Sequence, residues 1–387
     1  RAREGERARG RGERAKRRRP AMAAHRVCVV GGGSFGSVVA RVAAAGVKAH
    51  PESFQQGIPW WVRRPQLAQE INEKHVNSQY LGTAKLPEAL QANTDLREVT
   101  KGATICIMGL PGEFLKEALP ILDEALDPRC VIVSLIKSLK VDGGKVVPYS
   151  DVLAAALSGR PIAALMGPNI YREMANDEFA EATLGCKRKE LWPVLQQLFE
   201  TPLFHVDLSE DLIGVEMCGC MKNTVTISCG IAKGLGWGAN VRAAIIRRGM
   251  LEIGQFLEEF LGANQDILLE ACGVGDIVLS CHAGRGQALA AAFVENGGKK
   301  SWSELEDEIM NGMRLPDWHN VENVYKILTA ECGRSATPGA LERYPLLVAT
   351  YRIAFENAAP ASILEPLRSG KPGGGRGGGG ECKRARY

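Results

Sequence analysis

The chain has 387 residues and a formal net charge of +4 at pH 7, and this length allows two domains. Its ends carry +7 (residues 1–20) and +4 (residues 369–387), which leaves −7 for residues 21–368. A mildly acidic body gives no reason to expect a nucleic-acid partner. The apolar runs are shorter than the roughly 20 residues that cross a bilayer, so we expect a soluble protein with no membrane partner.

Both ends are poor in core-forming residues, and we predict disordered tails over residues 1–23 and 369–387. Met22 lies just before the first apolar run, which suggests that residues 1–21 are translated upstream sequence. The basic run 16–19 or a transit peptide are the targeting alternatives, but the segment lacks Ser and contains Glu. We expect a cytoplasmic protein, and the N-terminal segment leaves a plastid or another organelle open.

The eleven cysteines are scattered, with no Cys-X-X-Cys and no Cys and His at zinc-binding spacing. This pattern predicts reduced core thiols and no metal site.

In chain order, the first apolar run, residues 26–30, leads into a glycine turn and a helix of small residues. A strand, a glycine turn and a helix start are what a dinucleotide's pyrophosphate requires. Gly31 allows the tight turn, Gly33 lets the backbone approach the phosphates, and Gly36 lets the helix pack on the strand. The sequence predicts nucleotide binding here, and a glycine-rich turn without chemical meaning is the alternative.

Apolar runs of strand length alternate with helical patterns through the first half and predict a parallel sheet. They are residues 26–30, 60–62, 104–110, 131–135 and 162–166. Residues 46–59 have little periodicity and are predicted to be a long loop, and from residue 209 helical periods dominate. The predicted fold class is α/β, with a Rossmann-type dinucleotide-binding domain over residues 24–206 followed by an all-helical substrate domain over residues 207–368.

Two lysines lie where charge is costly. Lys222 is the only charged residue between Met217 and Ala232, which favours a functional site over a structural lysine that reaches solvent from a buried helix. Lys137 follows the buried run 131–136, and ligands gather beyond the carboxyl ends of strands in open α/β sheets. A lysine that merely ends a strand is the alternative.

Other turns carry candidate ligand contacts. Pro111 and Asn169 follow two strands and suit a turn over a cofactor, although ordinary turn chemistry also explains them. Arg285 lies between glycines and could offer a planar fork of donors to a phosphate, or be a surface arginine. Asp276 and Ser280 are one helical turn apart and could share a face.

Taken together, these residues resemble the eukaryotic type of NAD-dependent glycerol-3-phosphate dehydrogenase. The matching blocks are residues 222–225, 234–240, 242–249, 134–137, 166–170 and 273–285, with the glycine fingerprint before them. The resemblance covers about residues 25–360 and implies NAD as cofactor, a homodimer, and reversible hydride transfer between sn-glycerol 3-phosphate and NAD, giving dihydroxyacetone phosphate and NADH.

The resemblance assigns the site residues position by position. The catalytic set falls on Lys222, Lys137 and Asp276. The substrate contacts fall on Lys137, Asn169, Lys222, Asn223, Asp276, Ser280, Arg285 and Gly286. The cofactor contacts are expected at Gly31, Gly33, Ser34, Phe35, Gly36, Arg63, Pro111, Lys137, Asn169 and Arg285.

Two positions depart from the family pattern. Gly286 stands where the family has Asn, which removes one donor to the substrate phosphate and predicts reduced affinity. Ser280 replaces Thr and keeps the hydroxyl group.

The implied reaction needs a proton carried to or from the substrate O2, and Lys222 is the expected carrier. A lysine with the reference pKa of about 10.4 is a poor base at neutrality, so the pKa of Lys222 must be lowered. Desolvation and Lys137 would lower it, while Asp276 would orient the amine and oppose part of the shift.

The cofactor choice has one complication. Arg63 and Arg64 follow the second predicted strand, where an acidic residue normally binds the ribose 2′-OH, and arginine there can accommodate a 2′-phosphate. The resemblance favours NAD and leaves NADP as the alternative. Two rival functions stay open: another β-hydroxyacid dehydrogenase of the same two-domain plan, and a non-catalytic NADH-binding interaction protein.

Overall fold

The computed structural model describes residues 24–332 and 339–368. The two predicted disordered tails and the suggested start at Met22 lie outside these residues. Within them, the first part of the chain forms a mixed sheet flanked by helices, and the second part is helical.

The strands are short, and those in the middle of the main sheet are apolar. They are β1 (Val27–Val30), β2 (Ile58–Trp61), β3 (Leu90–Asn93), β4 (Ile105–Met108), β5 (Val131–Ser134), β6 (Lys140–Asp142), β7 (Lys145–Val147), β8 (Ile162–Met166), β9 (Ala180–Cys186) and β10 (Phe204–Ser209). The main sheet has the order β10-β9-β8-β5-β4-β1-β2-β3, and β6 and β7 form a separate hairpin. β1, β4, β5 and β8 are buried throughout because helices cover both faces.

Eight helices accompany the sheet among the described residues: α1 (Ser34–Ala49), α2 (Pro65–Lys74), α3 (Ser78–Leu81), α4 (Leu96–Thr100), α5 (Leu115–Ala125), α6 (Tyr149–Ala156), α7 (Tyr171–Ala175) and α8 (Trp192–Phe199). The helical part contains α9 (Leu212–Gly234), α10 (Ala239–Leu261), α11 (Asp276–Ala283), α12 (Arg285–Glu295), α13 (Trp302–Ile309), α14 (Asp317–Cys332), α15 (Ala340–Arg343), α16 (Pro345–Phe355) and α17 (Glu365–Arg368). This arrangement confirms the predicted α/β class with a Rossmann-type domain followed by a helical domain.

The sequence prediction was wrong in two details of the sheet part. The sheet is parallel except between β8 and β9, which pair antiparallel. The expected loop over residues 46–59 is shorter, because α1 continues to Ala49 and β2 already begins at Ile58. Phe54, in the middle of this loop, is fully buried. This buried side chain anchors the loop although its sequence has little periodicity.

The boundary between the two parts also shifts. β10 continues to Ser209, so residue 207 lies inside a strand and the helices begin at Leu212. β3, β9 and β10 were missed because polar residues interrupt their apolar positions, so none of them is a continuous apolar run.

Helix α9 is the centre of the helical part, and its residues from Gly214 to Ala232 are all buried. A helix that is apolar all round packs inside a protein. Glycines permit the close contacts: a Cβ atom at Gly219 would lie 2.7 Å from the Met166 sulfur on β8. The carboxyl end of β8 therefore lies directly against α9, at the level of Lys222.

Among the described residues, no single helix is both long and apolar enough to cross a membrane. The helical stretches Ala271–Ala283 and Arg285–Glu295, bent by 42° with respect to each other, reach that length and apolarity only together.

Candidate active site

The turn between β1 and α1 has the geometry that its glycines predict. Gly31 has a φ of +111°, and a Cβ atom there would lie 2.8 Å from the Gly109 carbonyl oxygen. A Cβ atom at Gly36 would lie 3.0 Å from the Gly31 carbonyl oxygen. Both positions need glycine because one requires a left-handed backbone and both bring backbone into contact.

Gly33 is different, because a Cβ atom there would meet nothing within 4 Å among the described residues. It is also the residue that precedes α1, and no side chain caps the N–H groups of that first turn. Free N–H groups and the positive end of the helix dipole together make an anion site. The open space therefore fits a pyrophosphate rather than internal packing.

A cavity of about 930 Å³ lies beside this turn. Seven residues expected to contact the cofactor line it: Gly31, Gly33, Ser34, Phe35, Gly36, Arg63 and Pro111. Its wall also includes Trp61, Thr94 and Asp95, which the sequence prediction missed. The last two follow β3, so a correct assignment of that strand would have pointed to them.

A second cluster surrounds the amine of Lys222. Its Nζ atom donates to Asp276 Oδ1 at 2.5 Å and to Ser280 Oγ at 2.8 Å. Lys137 Nζ donates to the other carboxylate oxygen of Asp276 at 2.9 Å and to the Gly167 carbonyl oxygen at 3.2 Å. Four residues predicted from separate parts of the sequence therefore form one hydrogen-bonded group, since Asp276 and Ser280 share one face of α11.

The cluster perturbs its own titration. Burial lowers the pKa of Lys222 below its ordinary value, with Lys137 adding to this effect and Asp276 opposing it. Burial by itself would raise the pKa of Asp276, but Lys137 and Lys222 together bring it below the ordinary value. The amine of Lys222 is thus easier to deprotonate than a surface lysine, beside a carboxylate that stays ionised.

Phe35 joins the two regions. The Nζ atom of Lys137 lies 5.2 Å from the centre of the Phe35 ring, and Phe35 also lines the cavity. The contact is a cation–π interaction. A ligand that fills the cavity past Phe35 therefore arrives at the lysine cluster.

Three other predicted residues lie outside this hydrogen-bonded group. Asn169 donates to the Glu181 carbonyl oxygen at 2.9 Å, and its side-chain oxygen is buried with no partner within the described residues. Arg285 is exposed, with its guanidinium 5.8 Å from the centre of the Tyr171 ring. Asn223 is buried on α9 next to Lys222.

A side chain from another helix fills the space beside Gly286. A Cβ atom at Gly286 would lie 2.0 Å from Oδ1 of Asp317, at the start of α14. The sequence prediction missed Asp317. An acidic residue in a first helical turn is ordinarily a sign of helix-dipole stabilisation alone, so nothing near it in sequence indicated a site.

Asn320, one turn further along α14, was also missed. It is 1% exposed, accepts from the Leu139 N–H at 2.9 Å and donates to the carbonyl oxygens of Lys137 at 3.1 Å and Cys220 at 3.4 Å. It thereby joins the backbone that carries Lys137 to α9. Such a bridge depends on tertiary contacts that no local motif reveals.

The arrangement can bind an anion at the α1 turn and exchange a proton at a buried amine. In the described residues no group of three or more His, Cys, Asp or Glu side chains could hold a metal ion. Within the described part of the chain, nine cysteines are free thiols and buried.

The comparisons with known proteins agree with this geometry. The family model for the NAD-dependent glycerol-3-phosphate dehydrogenase N-terminus matches residues 26–192, and that for the C-terminus matches residues 211–365. The chain is 33% identical over 365 residues to "Probable glycerol-3-phosphate dehydrogenase 2" of Caenorhabditis elegans, covering 90% of this chain and 91% of the relative. It is 32% identical over 355 residues to the human cytoplasmic NAD(+) glycerol-3-phosphate dehydrogenase, covering 90% and 99%.

A solved structure of Plasmodium falciparum glycerol-3-phosphate dehydrogenase superimposes with a TM-score of 0.83 at 31% identity, over 90% of this chain and 96% of the other. Both halves of the fold are therefore shared, in the same order. The chain belongs to the NAD-dependent glycerol-3-phosphate dehydrogenase family.

Proposed function

We propose that Lys222 is the general acid and base of this chain, an NAD-dependent oxidoreductase that interconverts sn-glycerol 3-phosphate and dihydroxyacetone phosphate. The observation that supports this role is the buried amine of Lys222, held by Asp276 at 2.5 Å and Ser280 at 2.8 Å. Two fixed partners limit the directions in which the third proton of the ammonium can point, and this orients it for transfer.

When bound, the nicotinamide ring supplies or accepts the hydride at its C4 atom. In ketone reduction, the ammonium of Lys222 donates its proton to the substrate O2. In alcohol oxidation, the neutral amine of Lys222 accepts that proton. Burial lowers the pKa of Lys222, so its neutral form is easier to reach than that of an ordinary lysine, which is the direction that general acid–base catalysis requires.

Lys137 and Asp276 act on this amine. Asp276 keeps it in place and stabilises its charged form, while Lys137 stabilises its neutral form. Lys137 is itself held by the Gly167 carbonyl oxygen and Asp276. We assign Ser280 to the orientation of Lys222.

The substrate phosphate is assigned to Arg285. Its guanidinium is exposed beside Tyr171, so it can turn towards a ligand and hold a phosphate through two parallel N–H groups. The amide groups of Asn169 and Asn223 are assigned to substrate contacts. The unpartnered side-chain oxygen of Asn169 supports this because a buried acceptor requires a donor.

NAD is the cofactor, and the glycine turn is assigned to its pyrophosphate. The guanidinium carbon of Arg63 lies 5.4 Å from the centre of the Phe114 ring. The guanidinium of Arg64 donates a hydrogen bond to the side-chain oxygen of Gln79. Because arginine at this position can accommodate a 2′-phosphate, comparing the rates with NADH and NADPH tests the choice of NAD directly.

The oligomeric state and the cellular location are inferred from the family. We infer a homodimer in the cytoplasm, in which the part with the sheet, up to Ser209, binds the cofactor and the helical part, from Leu212, supplies most of the substrate contacts. The cytoplasmic names of relatives support the location. Sedimentation of the purified chain measures the oligomeric state, and imaging of the tagged full chain separates cytoplasm from plastid or another organelle.

NADH oxidation by the full chain tests the proposed activity. Dihydroxyacetone phosphate should be turned over, and a panel of β-keto acids should not. Preference for a β-keto acid would favour another β-hydroxyacid dehydrogenase. NADH binding without turnover of any substrate would favour a non-catalytic interaction protein.

A further inference from the structure

The start of α14 places a carboxyl group where the substrate phosphate is expected. Oδ1 of Asp317 lies 2.0 Å from the point where a side chain at Gly286 would begin, one residue after Arg285. Asp317 therefore fills the space beside the first turn of α12, which no side chain caps. That space combines a helix N-terminus with an arginine, and both favour an anion.

The groups that face Asp317 carry both signs of charge. Lys222 from α9 and Arg285 from α12 attract its carboxylate, and Asp276 from α11 repels it. On α14 itself, His319 is exposed and stacks on Trp318 at 3.5 Å between ring centres. An ionised Asp317 would attract Lys222 and Arg285, the two cations that the proposed mechanism assigns to the substrate.

We propose that Asp317 sets the affinity for the substrate phosphate, which binds when the Asp317 carboxyl group is protonated. A protonated carboxyl group can donate a hydrogen bond to a phosphate oxygen, whereas a carboxylate can only accept and repels the dianion. The inference rests on the proposed placement of the phosphate at Arg285.

Titration within the site supports this inference. Burial raises the pKa of Asp317 above its ordinary value, although Lys222 and Arg285 oppose the shift. A phosphate dianion next to Asp317 raises that pKa further, because a like charge disfavours ionisation. By linkage, affinity is highest below the pKa of Asp317 and is lost as the pH rises through it.

The test compares the wild-type chain with Asp317→Asn between acid and alkaline pH. The substitution keeps the shape and removes the titration. The ionisation of the phosphate itself affects both proteins. We therefore use the ratio of the wild-type KM to the KM of Asp317→Asn, both measured with dihydroxyacetone phosphate. This ratio should rise by about tenfold or more with pH, as expected for a hydrogen bond to a charged group.

Dihydroxyacetone, which has no phosphate, is the control substrate, and its KM ratio should stay flat. A pH-independent KM ratio for dihydroxyacetone phosphate would overturn the inference. Equal changes for both substrates would also overturn it, because Asp317 would then act on the reaction and not on the phosphate. The absence of turnover with dihydroxyacetone phosphate would refute the proposed function instead, so the two failures are distinguishable.

Asp317→Gly, with the same readout, replaces Asp317→Asn if the latter does not fold. The close contact itself is tested by thermal unfolding. Gly286→Ala should lower Tm when Asp317 is present and have little effect in the Asp317→Gly background. Equal effects in both backgrounds would show that Asp317 does not fill this space.

Discussion

The amine of Lys222 lies 2.5 Å from Oδ1 of Asp276, and both groups are almost completely buried. A buried ion pair costs desolvation energy that the attraction repays only with good geometry and further hydrogen bonds. The second carboxylate oxygen of Asp276 meets that requirement through Lys137. The pair thus holds a lysine whose pKa is lowered by burial yet kept from falling further by one carboxylate.

Asp276→Asn should move the pH profile of the reaction. The substitution removes the charge that raises the pKa of Lys222, so that pKa falls further. Oxidation needs the neutral amine and rises with pH through this pKa, while reduction needs the ammonium and declines above it. Both limbs should therefore move to lower pH, measured as kcat in each direction.

Ser280→Ala is the matched control for this change. Ser280 also contacts the Lys222 amine, at 2.8 Å, but carries no charge. We expect it to lower kcat and leave the limbs of the profile near their wild-type positions. Unchanged limbs in Asp276→Asn would show that the carboxylate does not tune Lys222.

Arg285→Ala should separate two substrates. A lost bidentate contact to a phosphate is worth about 3 kcal/mol, or roughly 100-fold in kcat/KM for dihydroxyacetone phosphate. Dihydroxyacetone should be almost unaffected, and Arg285→Lys should recover part of the loss. Equal losses for both substrates would remove Arg285 from the phosphate site.

Gly33→Val should weaken NADH binding without loss of stability. Its side chain would enter the open space beside the α1 turn, where it meets no other described atom within 4 Å of its Cβ, so Tm should hold. We expect the Kd for NADH to rise at least about tenfold by titration, since a blocked anion site loses more than one charged hydrogen bond.

Gly31→Ala is the contrasting variant. Its φ of +111° and the 2.8 Å approach to the Gly109 carbonyl oxygen should lower Tm even without ligand. A fall in Tm for Gly33→Val as large as that for Gly31→Ala would contradict an open cradle at Gly33.

Asn320→Ala should destabilise the chain strongly. It removes the hydrogen bonds to the Leu139 N–H and to the Lys137 and Cys220 carbonyl groups, at a cost of about 2–4 kcal/mol in free energy of unfolding. Asn323→Ala, which removes a single hydrogen bond to the Leu139 carbonyl oxygen, should cost about 1 kcal/mol. Similar unfolding midpoints for the two variants in urea would argue against the bridging role of Asn320.

The sequence predicted those features that have local signals. The glycine turn and the buried runs of β4, β5 and β8 predict a Rossmann-type domain. The turn stands between a strand and a helix start, and the apolar runs alternate with helical patterns. β9 and β10 did not stand out because polar residues such as Glu181 and Asp207 interrupt their apolar positions. The antiparallel pairing of β8 and β9 likewise depends on a connection through α7 that carries no signature of direction.

The same distinction applies to the site. Lys222 was conspicuous as a single charge in an apolar segment, and Asp276 and Ser280 follow from helical spacing. Asp317 has no such signal, since its importance comes from the glycine that faces it 31 positions earlier in the chain. Contacts between distant segments are decided by packing, which a single sequence does not encode locally.

The proton-transfer role of Lys222 is tested most directly by Lys222→Met, a substitution of similar length without an amine. NADH binding, measured by fluorescence titration, should stay close to wild type. Turnover of dihydroxyacetone phosphate should fall by about 10²–10⁴-fold, the usual contribution of general acid–base catalysis. A variant that binds NADH and keeps more than about a tenth of the wild-type rate would contradict the account, because so small a loss is below what proton transfer contributes.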